Sequence, residues 1–155
     1  MDEIKVYSEA VQYIKVEMSN EVFGIDISLV DNIVRMQRIT RVPNVADYIK
    51  GVINLRGEIV PIVDLRKKMG LEETEETRAT RIIIVKMEQY GKIGYIVDGV
   101  KEVVTLVDEQ IEKMKYDSKD DMTHYVTAVG KVDDTLISLL DMNIVAMDKS
   151  TREDN

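Results

Sequence analysis

His124 is the only histidine of the chain, and there is no cysteine. Any Ser-His-acid relay would rest on that one imidazole, and no disulfide, thiolate metal site or thiol nucleophile can form. His124 stands in DDMTHYVTA, a polar stretch entering a strand, where a solvent-facing loop residue is expected. Paired carboxylates could in principle do the acid and base work of a hydrolase. The pairs Glu72-Glu73 and Asp120-Asp121, however, lie in hydrophilic runs where nothing would desolvate one member and raise its pKa. The glycines of GKIGYIVDG sit within a strand pattern, not at the strand-to-helix turn a phosphate cradle needs, and no nucleophile elbow occurs. The residues read as a non-enzymatic protein without metal or cofactor, with a two-carboxylate hydrolase as the alternative.

What remains is recognition chemistry. Residues 51–66, GVINLRGEIVPIVDLR, hold an Arg-Gly pair at a turn between two apolar runs. The turn does not require arginine, so Arg56 is either a solvated turn residue, a partner for Glu58 or Asp64, or a forked donor offered to another molecule. Ile59, Val60, Ile62 and Val63 put apolar groups on both faces of the following strand, which needs cover on both sides. Pro61 lacks an N–H and points to an edge strand or a bulge there.

The balance of 29 acids against 21 bases, net charge -8, opposes a nucleic-acid backbone. Apolar residues at 45% and charged residues at 32% suit a folded, soluble chain. No signal peptide is visible at the start, and the longest apolar run, 82–85, is far short of the ~20 residues that cross a bilayer. A cytoplasmic protein is expected.

The elements that must position these residues are short strands. YIKVEM and EVFGIDI flank Ser19-Asn20 and read as a hairpin. Ser28 is expected to cap a one-turn helix, and VADYIKG, between Pro43 and Pro61, a short helix that Gly51 ends. Strands are expected at 51–55 and 58–64, and the acidic stretch 71–79 as a solvated connection. Met18, Met87 and Met142 are expected in the core. Beyond the acidic stretch the pattern repeats. VEM at 16–18 answers to VKM at 85–87, and Gly24 and the segment 31–34 answer to Gly94 and 101–104, 70 residues on. The segment 48–65 lies without a gap on 125–142, Tyr48 on Tyr125 and Asp64 on Asp141, 77 residues on. Two copies with short strands indicate two small β-barrels. The expected division of the single domain, 1–155, is a first barrel over 12–70 with 142–150 as a candidate completing segment, a linker at 71–80, and a second barrel over 81–141.

FGIDISLVDNIV, ITRVPNVADYIKGVINLRG and GYIVDGVKEVVTL occur in that order, and with YIKGVINLRGEIVPIVDLR they resemble the CheW family of bacterial chemotaxis adaptors over about residues 10–148. The resemblance implies an all-β fold of two five-stranded Src-homology-3-like β-barrels around a shared hydrophobic core. It also implies a non-enzymatic scaffold that links chemoreceptor cytoplasmic tips to the regulatory domain of the histidine kinase CheA. Such a protein is a monomer when isolated, works at receptor arrays on the inner face of the membrane, and has no membrane insertion of its own. Carried over by motif, the receptor-binding residues are Val30, Asn32, Arg56, Ile59 and Ile62, and the kinase-binding residues are Ile82, Ile84, Gly94 and Val97. Asn32 stands where relatives often have Glu, which puts the family's ion pair at that point in doubt. A regulatory module of the same fold in another two-component pathway is the runner-up. Only DKSTREDN follows Met147, so a standalone adaptor is expected.

Overall fold

The computed structural model describes residues 10–114 and 124–146. The expected hairpin is β1 (Val11–Met18) and β2 (Glu21–Asp26), turned by Ser19 and Asn20 at φ 52° and 67°. Both angles lie in the left-handed region that matches strand twist in a two-residue turn. The turn after β2 spans Ile27–Leu29, and its cap is Asp26, not Ser28. The Asp26 carboxylate accepts the Ser28 N–H at 2.9 Å and its hydroxyl at 2.8 Å. β3 (Val30–Arg35) follows.

The expected helix at 45–51 does not form. Chain bends and a turn lead into β4 (Ile49–Leu55), and Gly51 lies inside that strand at φ 144°. Thr40 bridges to Val52 here, its carbonyl so close that a Cβ on Gly51 would collide with it. Gly51 serves this close backbone approach, not helix termination. β5 (Glu58–Asp64) pairs with β4 and, from Ile62 onward, in parallel with β7 (Gly91–Val97), so it is an internal strand. Pro61 is tolerated because its partner Val52 directs both backbone groups to Thr40, N–H and carbonyl each at 2.8 Å. That pair needs no N–H from residue 61.

After β5 come the one-turn helix α1 (Leu65–Lys68), β6 (Arg81–Met87), β7, β8 (Gly99–Leu106), β9 (Ile111–Lys113), β10 (Val126–Val132), β11 (Thr135–Leu140) and the helix α2 (Met142–Ala146). They form two sheets, one of six strands in the order β8-β1-β2-β11-β10-β9 and one of five in the order β3-β6-β7-β5-β4. The all-β expectation holds, with six and five strands in place of five and five.

The sheets are not the contiguous halves 12–70 and 81–141. The hairpin β1–β2 pairs with β8 and β11, and the hairpin β6–β7 with β3 and β5. Each sheet therefore holds a hairpin from the other half. The stretch 71–80 contains no helix or strand and joins α1 to β6, both on the five-stranded side, so it does not separate the sheets. Within the candidate completing segment 142–150, residues 142–146 form α2, with Met142 and Val145 in the core.

The duplication is kept to the residue across this exchange. Leu139 faces Gly24 in the parallel ladder β2–β11, and Ile62 faces Gly94 in β5–β7, each pair the image of the other. Three apolar clusters fill the molecule. Ile53, Val60, Ile62, Ile82, Ile84 and Ile96 line one face of the five-stranded sheet, and Leu106, Ala128, Ile137 and Leu139 one face of the other. The third lies between the sheets and holds Phe23, Ile25, Val63, Ile83, Val85, Tyr95, Val97 and Leu140, with Met18, Met87 and Met142 as expected. This is the shared core, built by the alternate faces of strands whose sequence is apolar throughout.

Candidate interaction surfaces

Arg56 and Gly57 close the β4–β5 hairpin at φ 55° and 88°, and Asp133 holds φ 55° at the matching turn. A left-handed arginine costs roughly 1–2 kcal/mol relative to a residue such as glycine. The turn is held by Asn54, whose side-chain oxygen accepts the Gly57 N–H at 2.9 Å, which leaves the arginine side chain out of the turn's own bonding. Among the described ion pairs it joins neither carboxylate proposed as its partner. Asp64 is taken by Arg66, and Glu58 by Lys92 at 2.8 Å. Arg56 is exposed, and Ile59 three residues on is 63% exposed, the largest value among the exposed large apolar residues described.

Val30 and Asn32 are half-buried on β3. The Asn32 side chain accepts the Ile33 N–H at 2.9 Å, so its amide serves its own strand. β3 and the β4–β5 turn belong to strands separated by β6 and β7, yet one side chain joins them. The Lys92 ammonium is 3.5 Å from Asp31 and 2.8 Å from Glu58, which brings the neighbours Asn32 and Ile59 to two rims of one surface region. The hydrogen bond that the Lys92 ammonium donates to Glu58, then the charge of Asp31, raises the Lys92 pKa.

Five expected site residues are not at the surface, Gly94 among them. Ile62, Ile82 and Ile84 are completely buried, and a Cβ on Gly94 would meet all three, at 2.7, 2.8 and 3.1 Å. Residues assigned to two separate surfaces thus meet at one point in the core of the five-stranded sheet. Val97 is completely buried in the shared core. Ile82 and Ile84, carried over as kinase-binding residues, offer no surface row, because β6 is paired on both sides, by β3 and β7, and is covered on both faces. The signal was in the sequence: RIIIV at 81–85 lacks the alternation a one-sided strand would show.

Sequence reasoning missed the exposed Val42, Val45, Tyr90, Val103 and Leu136. Leu136, 61% exposed, holds the place in the second copy that Ile59 holds in the first, so the duplication could have found it. Val42 and Val45 line a cleft of about 580 Å³ with Arg41, Lys50, Lys67 and Asp47.

A buried ionic cluster ties the sheets together. Arg66 donates to both Asp64 oxygens, at 2.9 and 3.0 Å, to Asp98 at 2.8 Å and to the Thr74 carbonyl at 3.0 Å. Asp98 in turn accepts the Ser19 N–H at 2.8 Å and the Thr74 hydroxyl at 2.7 Å. The cluster spans α1, the 71–80 stretch, the β7–β8 junction and the β1–β2 turn, so it is structural in reach.

Nothing described builds a catalytic centre. His124 is half-buried with its ring edge-on to Tyr125 at 4.9 Å. Glu72 and Glu73 are exposed, and Glu73 pairs with Lys67 at 3.1 Å, while Asp120-Asp121 lies outside the described residues. Among the described residues no cluster of His, Asp and Glu could hold a metal, and no helix is long and apolar enough to cross a membrane.

Residues 12–149 match the model of the CheW-like domain family. The chain is 37% identical over 131 residues to the chemotaxis protein CheW of Bacillus subtilis, covering 84% of this chain and 83% of that one. It is 38% identical over 125 residues to the chemotaxis protein CheW of Klebsiella aerogenes, covering 81% and 75%. Among solved structures, the scaffolding protein TtCheW of Thermoanaerobacter tengcongensis superposes with a TM-score of 0.81 at 32% identity, covering 88% of this chain and 92% of that one. With the paired hairpins, the shared core and these likenesses on both sequence and structure, the chain belongs to the CheW-like family.

Proposed function

We propose that this protein is a non-enzymatic chemotaxis adaptor that couples chemoreceptors to the histidine kinase CheA. The observation that carries the reading is the likeness, over nearly the whole of both chains, to proteins named for chemotaxis and scaffolding. The geometry agrees with a scaffold, since the chain offers exposed apolar and charged side chains on a rigid all-β frame and no assembled reactive group among the described residues.

The receptor-facing surface is the region rimmed by β3 and the β4–β5 turn, with Arg56 and Ile59 as its accessible members and Val30 and Asn32 beside them. Ile62 supports it from the core. For the kinase, the buried Ile82, Ile84, Gly94 and Val97 shape the five-stranded sheet from within, so contact with CheA falls to exposed side chains that this core holds in place. The protein acts in the cytoplasm, recruited to receptor arrays, and is a monomer when isolated. An unmodified chain mixed with a soluble receptor cytoplasmic-tip fragment and the CheA regulatory domain should bind each separately and then carry both in one complex by size-exclusion chromatography with light scattering. Binding of neither would refute the adaptor reading.

A further inference from the structure

Asp31 and Glu58 sit on elements that no backbone ladder joins directly, for β6 and β7 lie between β3 and β5. The register of β3 against β6 shifts between Val30 and Asn32, so Asp31 is the extra residue of a bulge. Bulges re-aim side chains, and this one points Asp31 to Lys92. Lys92 extends from β7 and holds Glu58 at 2.8 Å and Asp31 at 3.5 Å, a single ammonium between two carboxylates on opposite rims.

The six-stranded sheet shows that the fold does not need this bridge. The positions matching Asp31, Glu58 and Lys92 are Lys101, Thr135 and Val22, which cannot form it, yet the same ladders are built there. The bridge belongs to one sheet only, the five-stranded sheet that exposes Arg56 beside Ile59. Asn32 is engaged with its own strand and Arg56 with neither nearby carboxylate, so no direct pair between those two sets the gap.

We propose that Lys92 is the positioning residue of the receptor-facing surface: by clamping Asp31 and Glu58 it fixes the separation of the two rims that present Asn32, Arg56 and Ile59. The inference rests on the assignment of that surface to the receptor. Both carboxylates are partly exposed, so the effect is modest and screened by salt.

The test measures affinity for a soluble receptor cytoplasmic-tip fragment and for the CheA regulatory domain, with thermal midpoints, in Lys92→Met, Lys92→Arg and Ile59→Asp. Lys92→Met keeps the aliphatic stem and should weaken receptor binding about threefold at low salt, with the difference shrinking as salt rises. Lys92→Arg should restore it, and kinase-domain affinity and the midpoint should stay at the unmodified values. If Ile59→Asp abolishes receptor binding while Lys92→Met binds normally, the surface assignment stands and the clamp is overturned. If neither change affects receptor binding, the surface assignment falls and the clamp with it. Equal loss toward both partners with a lowered midpoint would make Lys92 a general stabiliser and overturn the positioning role.

Discussion

Asp64 and Asp141 hold matched positions 77 residues apart, one at the end of β5 and the other just past β11, each capping the helix that follows. The Asp64 N–H is donated to the Tyr48 carbonyl at 2.7 Å, and the Asp141 N–H to the Tyr125 carbonyl at 2.9 Å. Asp64 accepts the N–H groups of Arg66 and Lys67, and Asp141 those of Asn143 and Ile144. The two caps differ at the side chain two places on. Arg66 clamps Asp64, whereas Asn143 cannot clamp Asp141, so one cap became the centre of a buried ionic cluster and the other stayed a cap.

Because each sheet takes a hairpin from the other half, cutting the chain at 72–79 should not release two domains. Nicked protein should elute as one species under native conditions and melt in one transition. The segments 10–70 and 81–146 expressed alone should fail to fold, since each would leave the apolar faces of its hairpin without the sheet that covers them. A cooperative thermal transition in either isolated segment would contradict the exchanged pairing.

Arg66→Met should destabilise the protein by about 3–5 kcal/mol, because it leaves the completely buried Asp64 carboxylate without its counter-charge. Denaturant unfolding measures this. Adding Asp64→Asn removes the stranded charge while keeping a capping oxygen, so the double variant should regain most of the loss. A double variant no more stable than Arg66→Met would show that the loss comes from the ties to Asp98 and Thr74 instead.

Burial pushes the Tyr95 phenol well above the usual tyrosine range, with Tyr48 adding a smaller push in the same direction. The folded chain therefore keeps a proton that the unfolded chain gives up near pH ~10. Stability from this group is complete below that value and falls as pH rises above it, by up to ~1.4 kcal/mol per pH unit. Tyr95→Phe should make the alkaline loss of stability shallower by that one proton. An unchanged alkaline slope would contradict it.

The hairpins were legible because their turns are local. Ser19-Asn20 and Arg56-Gly57 announce themselves in two residues, and the matching of Tyr48 with Tyr125 and Asp64 with Asp141 was readable as spacing alone. Which sheet each hairpin joins was not. Gly24 and Gly94 sit at equivalent places, and nothing local states that Gly24 will face Leu139 and Gly94 will face Ile62. The helix expected at 45–51 failed for a similar reason, since Gly51 answers to Thr40 across a loop. In the candidate site, Arg56 and Ile59 could be found by type and position. Lys92 could not, because its meaning depends on Asp31 and Glu58, which only the folded sheet brings within reach. Ile82 and Ile84 were assigned to a contact surface by motif resemblance, whereas the unbroken apolar run they belong to marks a strand covered on both faces.

Arg56→Asp isolates the central claim, that the β4–β5 turn and its rim meet the receptor. Asp133 already holds φ 55° at the matching turn, so aspartate fits the backbone and the thermal midpoint should stay near that of the unmodified protein. A charge-assisted hydrogen bond is worth roughly 1.5–3 kcal/mol, so affinity for the receptor cytoplasmic-tip fragment, by titration calorimetry, should fall about tenfold or more. Affinity for the CheA regulatory domain should be unchanged. Receptor affinity equal to that of the unmodified protein, in a folded Arg56→Asp variant, would contradict the account.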